Sequence, residues 1–358
     1  MKRLFLAFMA VLLCLPLLPV QTAQAAASAP DLPLCFPEAY PAPADCLPLG
    51  AAASVTDMAS RGVVFPFMPL SIQRYDPALQ QAPVPYMKIF AESVPFYATL
   101  QDAVAGNPAQ VLGPGFKYVS MQYKQEFEGA LYYLLQDGLW VRADESHASC
   151  CVYAGRFAGM VFERNPRTPF GWIVDEARPR RAPSRAAPET GKVLYRETVV
   201  PVYNLTEADN TTWYMIGPSS WVERRYIRQL VVNPTPPEGV TNGRWVEVNL
   251  YEQTLSVYED GQLRFATLIA SGAEPLFTRP GLFQIYKRLE KGPMSGLVGT
   301  DEFYYLQDVP YTLYFDGARA LHGAYWRTLY GYPASHGCVN LSIGDAHWVY
   351  NWASEGDW

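Results

Sequence analysis

Ser335-His336-Gly337-Cys338-Val339-Asn340, with His322 sixteen residues before the cysteine, is the stretch from which the rest of the chain is read. A thiol is a strong nucleophile only as thiolate, and an imidazole beside a tightly turned backbone is the common way to make one. Gly337 supplies the backbone freedom. His322 lies in Ala320-Leu321-His322-Gly323-Ala324-Tyr325, an apolar run suited to a strand that presents one polar group to a cleft. The arrangement points to acyl transfer, with Cys338 as nucleophile, His322 as base, and His336 with the backbone amides of Gly337 and Cys338 around an oxyanion. A lone cysteine would be read as core, since free cysteine is among the most buried residue types. Here His322 and His336 both lie within sixteen residues of one cysteine, and that clustering favours chemistry. A zinc site built from His322, His336 and Cys338 fails on spacing, because these residues offer no Cys-x-x-Cys or His-x-x-x-His pair.

The same residues carry a family resemblance. His322, then twelve residues that include Gly323, Trp326 and Gly331, then Ser335 to Asn340, resembles the signature of L,D-transpeptidases with a YkuD-type catalytic domain, over about residues 241–358. The resemblance implies a mainly β chain ending in a β-sandwich catalytic domain that needs no metal or cofactor. It implies a peptidoglycan tetrapeptide stem as donor, attacked at the carbonyl before its terminal D-Ala, and an amine on a second stem as acceptor. Cys338 then matches the nucleophile, His322 the base, and the carbonyl of Gly323 the group that orients it. Ser335 and His336 would support donor binding, Asn340 matches the variant of the motif ending in Asn, and Trp326 would form part of the acceptor wall. Carbapenem β-lactams are the implied covalent inhibitors. Two other functions fit the same residues: a cysteine peptidoglycan hydrolase or carboxypeptidase, and a catalytically silent wall-binding protein.

Upstream of the motif, Trp245 to Leu250 alternates, and Thr254 to Tyr258 runs through Asp260-Gly261 into Leu263 to Ile269, a hairpin signal. Ser271-Gly272 and Thr278-Arg279-Pro280-Gly281 read as turns, and the resemblance implies a strand at Phe283 after them. Residues 287–304 hold Gly292, Pro293, Gly296 and Gly299 and read as a loop long enough to cover a cleft, with Met294 and Tyr305 as substrate-contacting lid residues. Tyr311 to Phe315 and Ala320 to His322 read as strands. Ser342 is placed to cap a helix through Asp345, Trp348 and Trp352. The resemblance implies a further strand beyond Trp358, without which a sheet edge stays open.

At the other end, Lys2 and Arg3, the apolar Leu4 to Val20 and Ala23-Gln24-Ala25 read as a signal peptide over 1–25, so the chain is expected to be exported to the cell wall or periplasm. Removing Lys2 and Arg3 takes the formal charge from −6 to −8. Such an acidic chain is a poor nucleic-acid binder, because that binding depends on Lys and Arg contacts to phosphate. The exported chain keeps Cys35, Cys46, Cys150, Cys151 and Cys338. In an oxidising compartment four can pair, in several connectivities, and the odd one is most economically the reactive Cys338.

Residues 26–80 form an Ala/Pro-rich arm. Residues 81–175 and 191–235 read as two versions of one unit: Val94-Pro95-Phe96-Tyr97 recurs as Val200-Pro201-Val202-Tyr203, and Tyr133 with Trp140 recurs as Tyr214 with Trp221. The first copy carries an insertion between its halves. The short alternating strands resemble the bacterial Src-homology-three-like modules that accompany wall enzymes, which implies two small barrels and a possible hold on wall polymer. Tyr97, Trp140, Tyr203 and Trp221 are expected to fill their interiors. Residues 176–190, rich in Arg and Pro, are expected to be an extended solvated linker.

Overall fold

The computed structural model describes residues 34–35, 47–48, 73–150, 157–166, 168–300 and 302–358. The residues expected to form a signal peptide, most of the arm and the expected cysteine pairings lie outside the described residues. Among the described residues no helix is long and apolar enough to cross a membrane.

The first upstream unit contains β1 (Tyr86–Ile89), β2 (Val94–Phe96), β3 (Gln110–Leu112), β4 (Phe116–Phe127), β5 (Ala130–Leu135), β6 (Trp140–Arg142) and β7 (Ser149–Cys150). β8 (Met160–Val161) then crosses to the C-terminal domain. The second unit contains β9 (Phe170–Ile173), β10 (Val199–Pro201), β11 (Asn204–Ala208), β12 (Thr211–Gly217), β13 (Ser220–Glu223) and β14 (Ile227–Leu230). The C-terminal domain follows with β15 (Arg244–Asn249), β16 (Thr254–Glu259), β17 (Gln262–Leu268), β18 (Lys287–Gly296), β19 (Tyr304–Asp316), β20 (Arg319–Gly323), β21 (Val339–Leu341) and helix α1 (Ile343–Trp352). The chain is mainly β.

The Tyr–Trp hairpins of the two units pair alike, but the rest of the register differs from the sequence reading. Tyr133 pairs Val141 and Leu134 pairs Trp140 in the first unit, as Tyr214 pairs Val222 and Met215 pairs Trp221 in the second. The opening halves match otherwise than expected. Val200 pairs with β9, and its counterpart across from β1 is Val119, not Val94. Val119 and Val200 each stand fourteen residues before their tyrosine, so no insertion separates the halves. Val94 to Phe96 instead forms a side hairpin with β3. In both units the last strand returns to the first, Met87 to Cys150 and Gly171 to Gln229.

This pairing moves the boundaries. β9, expected at the end of the first unit, is the opening strand of the second. The Arg/Pro stretch 176–190 is no free linker: Arg180 exchanges backbone hydrogen bonds with Trp221, and the Arg185 backbone amide donates to Asp209. Tyr97, Trp140, Tyr203 and Trp221 are all buried.

In the C-terminal domain, β8, β17, β16 and β15 form one antiparallel sheet. Asp260 and Gly261 both take positive φ, which the tight turn between β16 and β17 requires. The second sheet runs β21, β20, β19 and then continues, through a parallel pairing of Tyr304–Leu306 with Phe116–Tyr118, into the first upstream unit. Leu255, Val257, Phe265, Leu313, Leu321 and Val339 lie buried in the domain core. Ser342 caps α1 by accepting from the Asp345 amide, as expected. Asp345, fully buried, accepts from Tyr75, Thr267 and the Gly159 amide, so it ties two upstream segments to the helix. The Trp358 carbonyl accepts from Val246, covering part of the edge at β15.

Residues 287–304 are mostly strand, not loop. β18 and β19 make a long hairpin, and the register shift at Gly292–Met294 absorbs Pro293, since proline inside a sheet is confined to edges and bulges. Phe283 precedes the strand that the resemblance placed over it, which begins at Lys287.

Candidate functional site

β20 and β21 run parallel, with His322 opposite Asn340. Cys338 sits in the bend immediately before β21, two residues before Asn340. His322, Asn340 and Cys338 line one cleft of about 770 Å3 together with Ser335, His336, Trp326 and Met294.

His322 is almost wholly buried, and its Nδ1 lies 3.2 Å from the Gly323 carbonyl oxygen. In the tautomer this contact selects, Nδ1–H donates to the carbonyl and Nε2 keeps its lone pair. Burial, aided by the Arg327 charge, lowers the imidazole pKa from 6.5 to about 4 despite the Gly323 hydrogen bond. Cys338 is partly exposed, and its thiol donates to the Ala318 carbonyl at 3.7 Å. Burial pushes the thiol pKa up, against the Ala320 amide and the Arg319 guanidinium, which pull it down. Burial thus shifts both groups towards their neutral forms.

The cysteine loop is held from two sides. Gly337 has φ +114°, and its carbonyl accepts from the Thr278 hydroxyl at 2.9 Å, while Thr278 Oγ1 itself accepts from the Gly272 amide at 2.9 Å. A Cβ on Gly272 would lie 2.3 Å from the Leu276 carbonyl oxygen, so the two turns read from sequence form the seat of the cysteine loop. Ser335, expected to help bind the donor, spends its hydroxyl within the loop: it donates to the Cys338 carbonyl at 2.5 Å and accepts from the Gly337 amide at 3.2 Å. That amide, expected at the oxyanion, is already engaged. His336 stacks on Tyr304, with centroids 5.2 Å apart, and its Nε2 lies 3.0 Å from Glu302.

The hairpin contributes Met294, as expected, but not Tyr305. Strand alternation turns Tyr305 away to the core of the first unit, where its hydroxyl accepts from Gln307, and puts Tyr304 and Leu306 on the cleft. Met294 faces Leu306 across the hairpin, so the parity of the strands identifies Tyr304 once the hairpin is recognised. Sequence reasoning also missed Arg319, whose Nη1 lies 3.1 Å from Asp316, and Arg327, which donates to the Ala334 carbonyl at 2.7 Å. It missed Lys88, Phe90 and Phe116 of the first unit, which line the far wall. Nothing local to those residues signals a cleft more than two hundred positions away. Trp326 stands between the two walls, 5.6 Å from the His322 ring and 6.4 Å from Phe116.

With this geometry in place, comparison with known proteins is informative. No curated protein matches the chain. Similar solved structures include a cysteine-to-serine mutant of an Enterococcus faecium L,D-transpeptidase, at 26% identity over 32% of this chain and 48% of that one, with TM-score 0.30. Another is the catalytic domain of an E. faecium L,D-transpeptidase acylated by ertapenem, at 25% identity over 33% of this chain and 96% of that one, with TM-score 0.30. A third is an L,D-transpeptidase from Xylanimonas cellulosilytica, at 28% identity over 35% and 62%, with TM-score 0.28. The match thus spans about half the length of the first of these. The YkuD family model, described as the L,D-transpeptidase catalytic domain, matches residues 243–358, and over that segment the chain carries a YkuD domain.

Proposed function

We propose that the chain is an exported L,D-transpeptidase in which Cys338 is the nucleophile and His322 the base. The observation that carries this reading is that Cys338, His322 and Asn340 line one cleft, with His322 opposite Asn340 and its Nδ1 beside the Gly323 carbonyl. The thiol proton passes to His322 Nε2 as Sγ attacks the carbonyl before the terminal D-Ala. The D-Ala amine takes that proton as the C–N bond breaks, leaving a thioester. An acceptor amine then attacks the thioester, forms the new amide and returns the proton to sulfur. Hydrolysis differs only in that water takes the acceptor's place.

The test is intact-mass analysis of the full chain after ertapenem or a tetrapeptide stem, alongside Cys338→Ala. An adduct on the unaltered chain alone is the expected result, and an adduct that persists on Cys338→Ala removes the assignment. His322→Ala should slow acylation by about a hundredfold or more. Adding an amine-bearing stem separates the outcomes: a crosslinked dimer supports transfer, and free tripeptide supports the hydrolase.

A further inference from the structure

The cleft that holds Cys338 is not built by the YkuD segment alone. Lys88, Ile89, Phe90, Gly115, Phe116 and Lys117, all from the first upstream unit, form one of its walls. The charges on the lining are unequal. Lys88, Lys117, Arg319 and Arg327 face a single lining carboxylate, Glu302, which is taken by His336. Lys117 is buried against the carbonyls of Glu92 and Gly113, and Arg319 is matched by Asp316. Lys88 differs. Its ammonium lies 4.8 Å from the Phe90 ring centroid and 5.9 Å from that of Tyr118, and it meets no carboxylate among the described residues. Phe90 is 56% exposed and Phe116 is 40% exposed, apolar surface beside an unmatched cation.

An ammonium held over aromatic faces, beside exposed rings and in the same cleft as a candidate nucleophile, suits a peptide that carries a carboxylate. We infer that the first upstream unit is part of the substrate site: Lys88 takes a carboxylate of the stem peptide, and Phe90, Phe116 and Trp326 pack along its chain. This rests on the proposed stem-peptide function and adds to it where the peptide lies. The parallel pairing of β4 with β19, closed by the Phe116 amide donating to the Phe303 carbonyl at 2.8 Å, fixes this wall relative to Tyr304 and Glu302. The upstream unit is thus a wall of the reaction cleft and not merely a spacer.

The test uses the full chain as Cys338→Ala, so that binding is read without turnover, and titrates it calorimetrically with a soluble tetrapeptide stem and with the same peptide amidated at its carboxylates. Adding Lys88→Gln should weaken binding of the acidic peptide about tenfold, and Lys88→Arg should restore most of it. The amidated peptide should bind weakly and without regard to residue 88. Phe116→Ala should weaken both peptides. Equal affinity with and without Lys88→Gln overturns the inference, as does a Cys338→Ala parent that binds neither peptide. Mass analysis of the unaltered chain keeps the two readings apart. A peptide thioester with binding indifferent to Lys88 leaves the transpeptidase and removes the wall, whereas binding that depends on Lys88 with no thioester leaves a peptide cleft and removes the transpeptidase.

Discussion

The two upstream units share strand order and register, yet they meet the YkuD domain in different ways. The first extends its sheet through β4 and β19 and lends residues to the cleft. The second meets the loop between His322 and Cys338 by side chains: Arg228 Nε donates to the Gly331 carbonyl at 2.7 Å, and Tyr332 donates to the Val174 carbonyl at 3.4 Å. It also reaches the β15–β16 turn, where the Gln229 amide donates to Glu252 at 2.9 Å. One copy is a wall and the other a buttress. A repeated fold therefore does not imply a repeated role, because the role lies in which edge and which side chains face the partner.

The largest effect should come from breaking each interface at its glycine. A Cβ on Gly115 would lie 2.4 Å from the Phe303 carbonyl oxygen at φ +142°, and one on Gly331 would lie 2.6 Å from Val174 at φ +93°. Each alanine substitution should cost about 2–3 kcal/mol of stability, since both combine a left-handed backbone with a steric overlap. Only Gly115→Ala should also lower kcat/KM on a stem peptide, by more than about tenfold, because it displaces Phe116 and Tyr304 together. Equal kinetic losses in the two variants would make both units positioning elements and end the distinction.

A second effect concerns pH. His322 has a folded pKa of about 4 against 6.5 unfolded, so between these values the unfolded chain binds the proton that the folded one refuses. Stability on this account is whole above 6.5 and falls as pH drops, by about 2 kcal/mol from pH 7 to 5. Urea unfolding of the chain and of His322→Asn at the two pH values should show that difference in the former only. His322 is covered by Trp326, which is backed by Phe116 and Tyr118 of the first unit. Gly115→Ala should therefore shrink the slope and Gly331→Ala should leave it. A slope unchanged in both would mean that the YkuD domain dries His322 unaided.

How far the sequence reaches follows from the same contrast. The histidine, the cysteine loop, the β15–β17 meander and the capped helix are all written in neighbouring residues, through alternation, Asp260-Gly261 and Ser342. The Tyr–Trp hairpins of the repeat were legible because their seven-residue interval reflects a real pairing. Val94 and Val200 matched only as letters: the pairing partner of a strand is not stored beside it, and Val119 lacks the proline that made the false match persuasive. Pro293 and its glycines read as loop because a bulged strand and a loop use the same residues. Lys88 and Phe116 were illegible for a simpler reason, since their place in the cleft depends on a parallel pairing between distant segments.

The smallest effect is the sharpest comparison, because Tyr133 and Tyr214 hold the same position in the two units. Tyr214 donates to buried Glu252 at 3.4 Å, while the Tyr133 hydroxyl finds no partner among the described residues. Glu252 also accepts from Gln229, so the Tyr214 contact joins the second unit to the YkuD domain through a carboxylate that water reaches poorly. Burial, together with the Glu252 carboxylate next to it, holds the Tyr214 phenol well above its ordinary pKa, so the hydroxyl stays a donor across the working range of pH. Tyr214→Phe should cost about 1–2 kcal/mol in urea unfolding, the value of one hydrogen bond to a charged acceptor, and Tyr133→Phe should change stability by no more than about 0.5 kcal/mol. The long 3.4 Å contact sets the direction of any surprise. If the two losses are equal, the hydroxyl of Tyr214 adds nothing to the buttress, and the second unit is held by its remaining contacts, those of Arg224, Arg228, Gln229 and Val174.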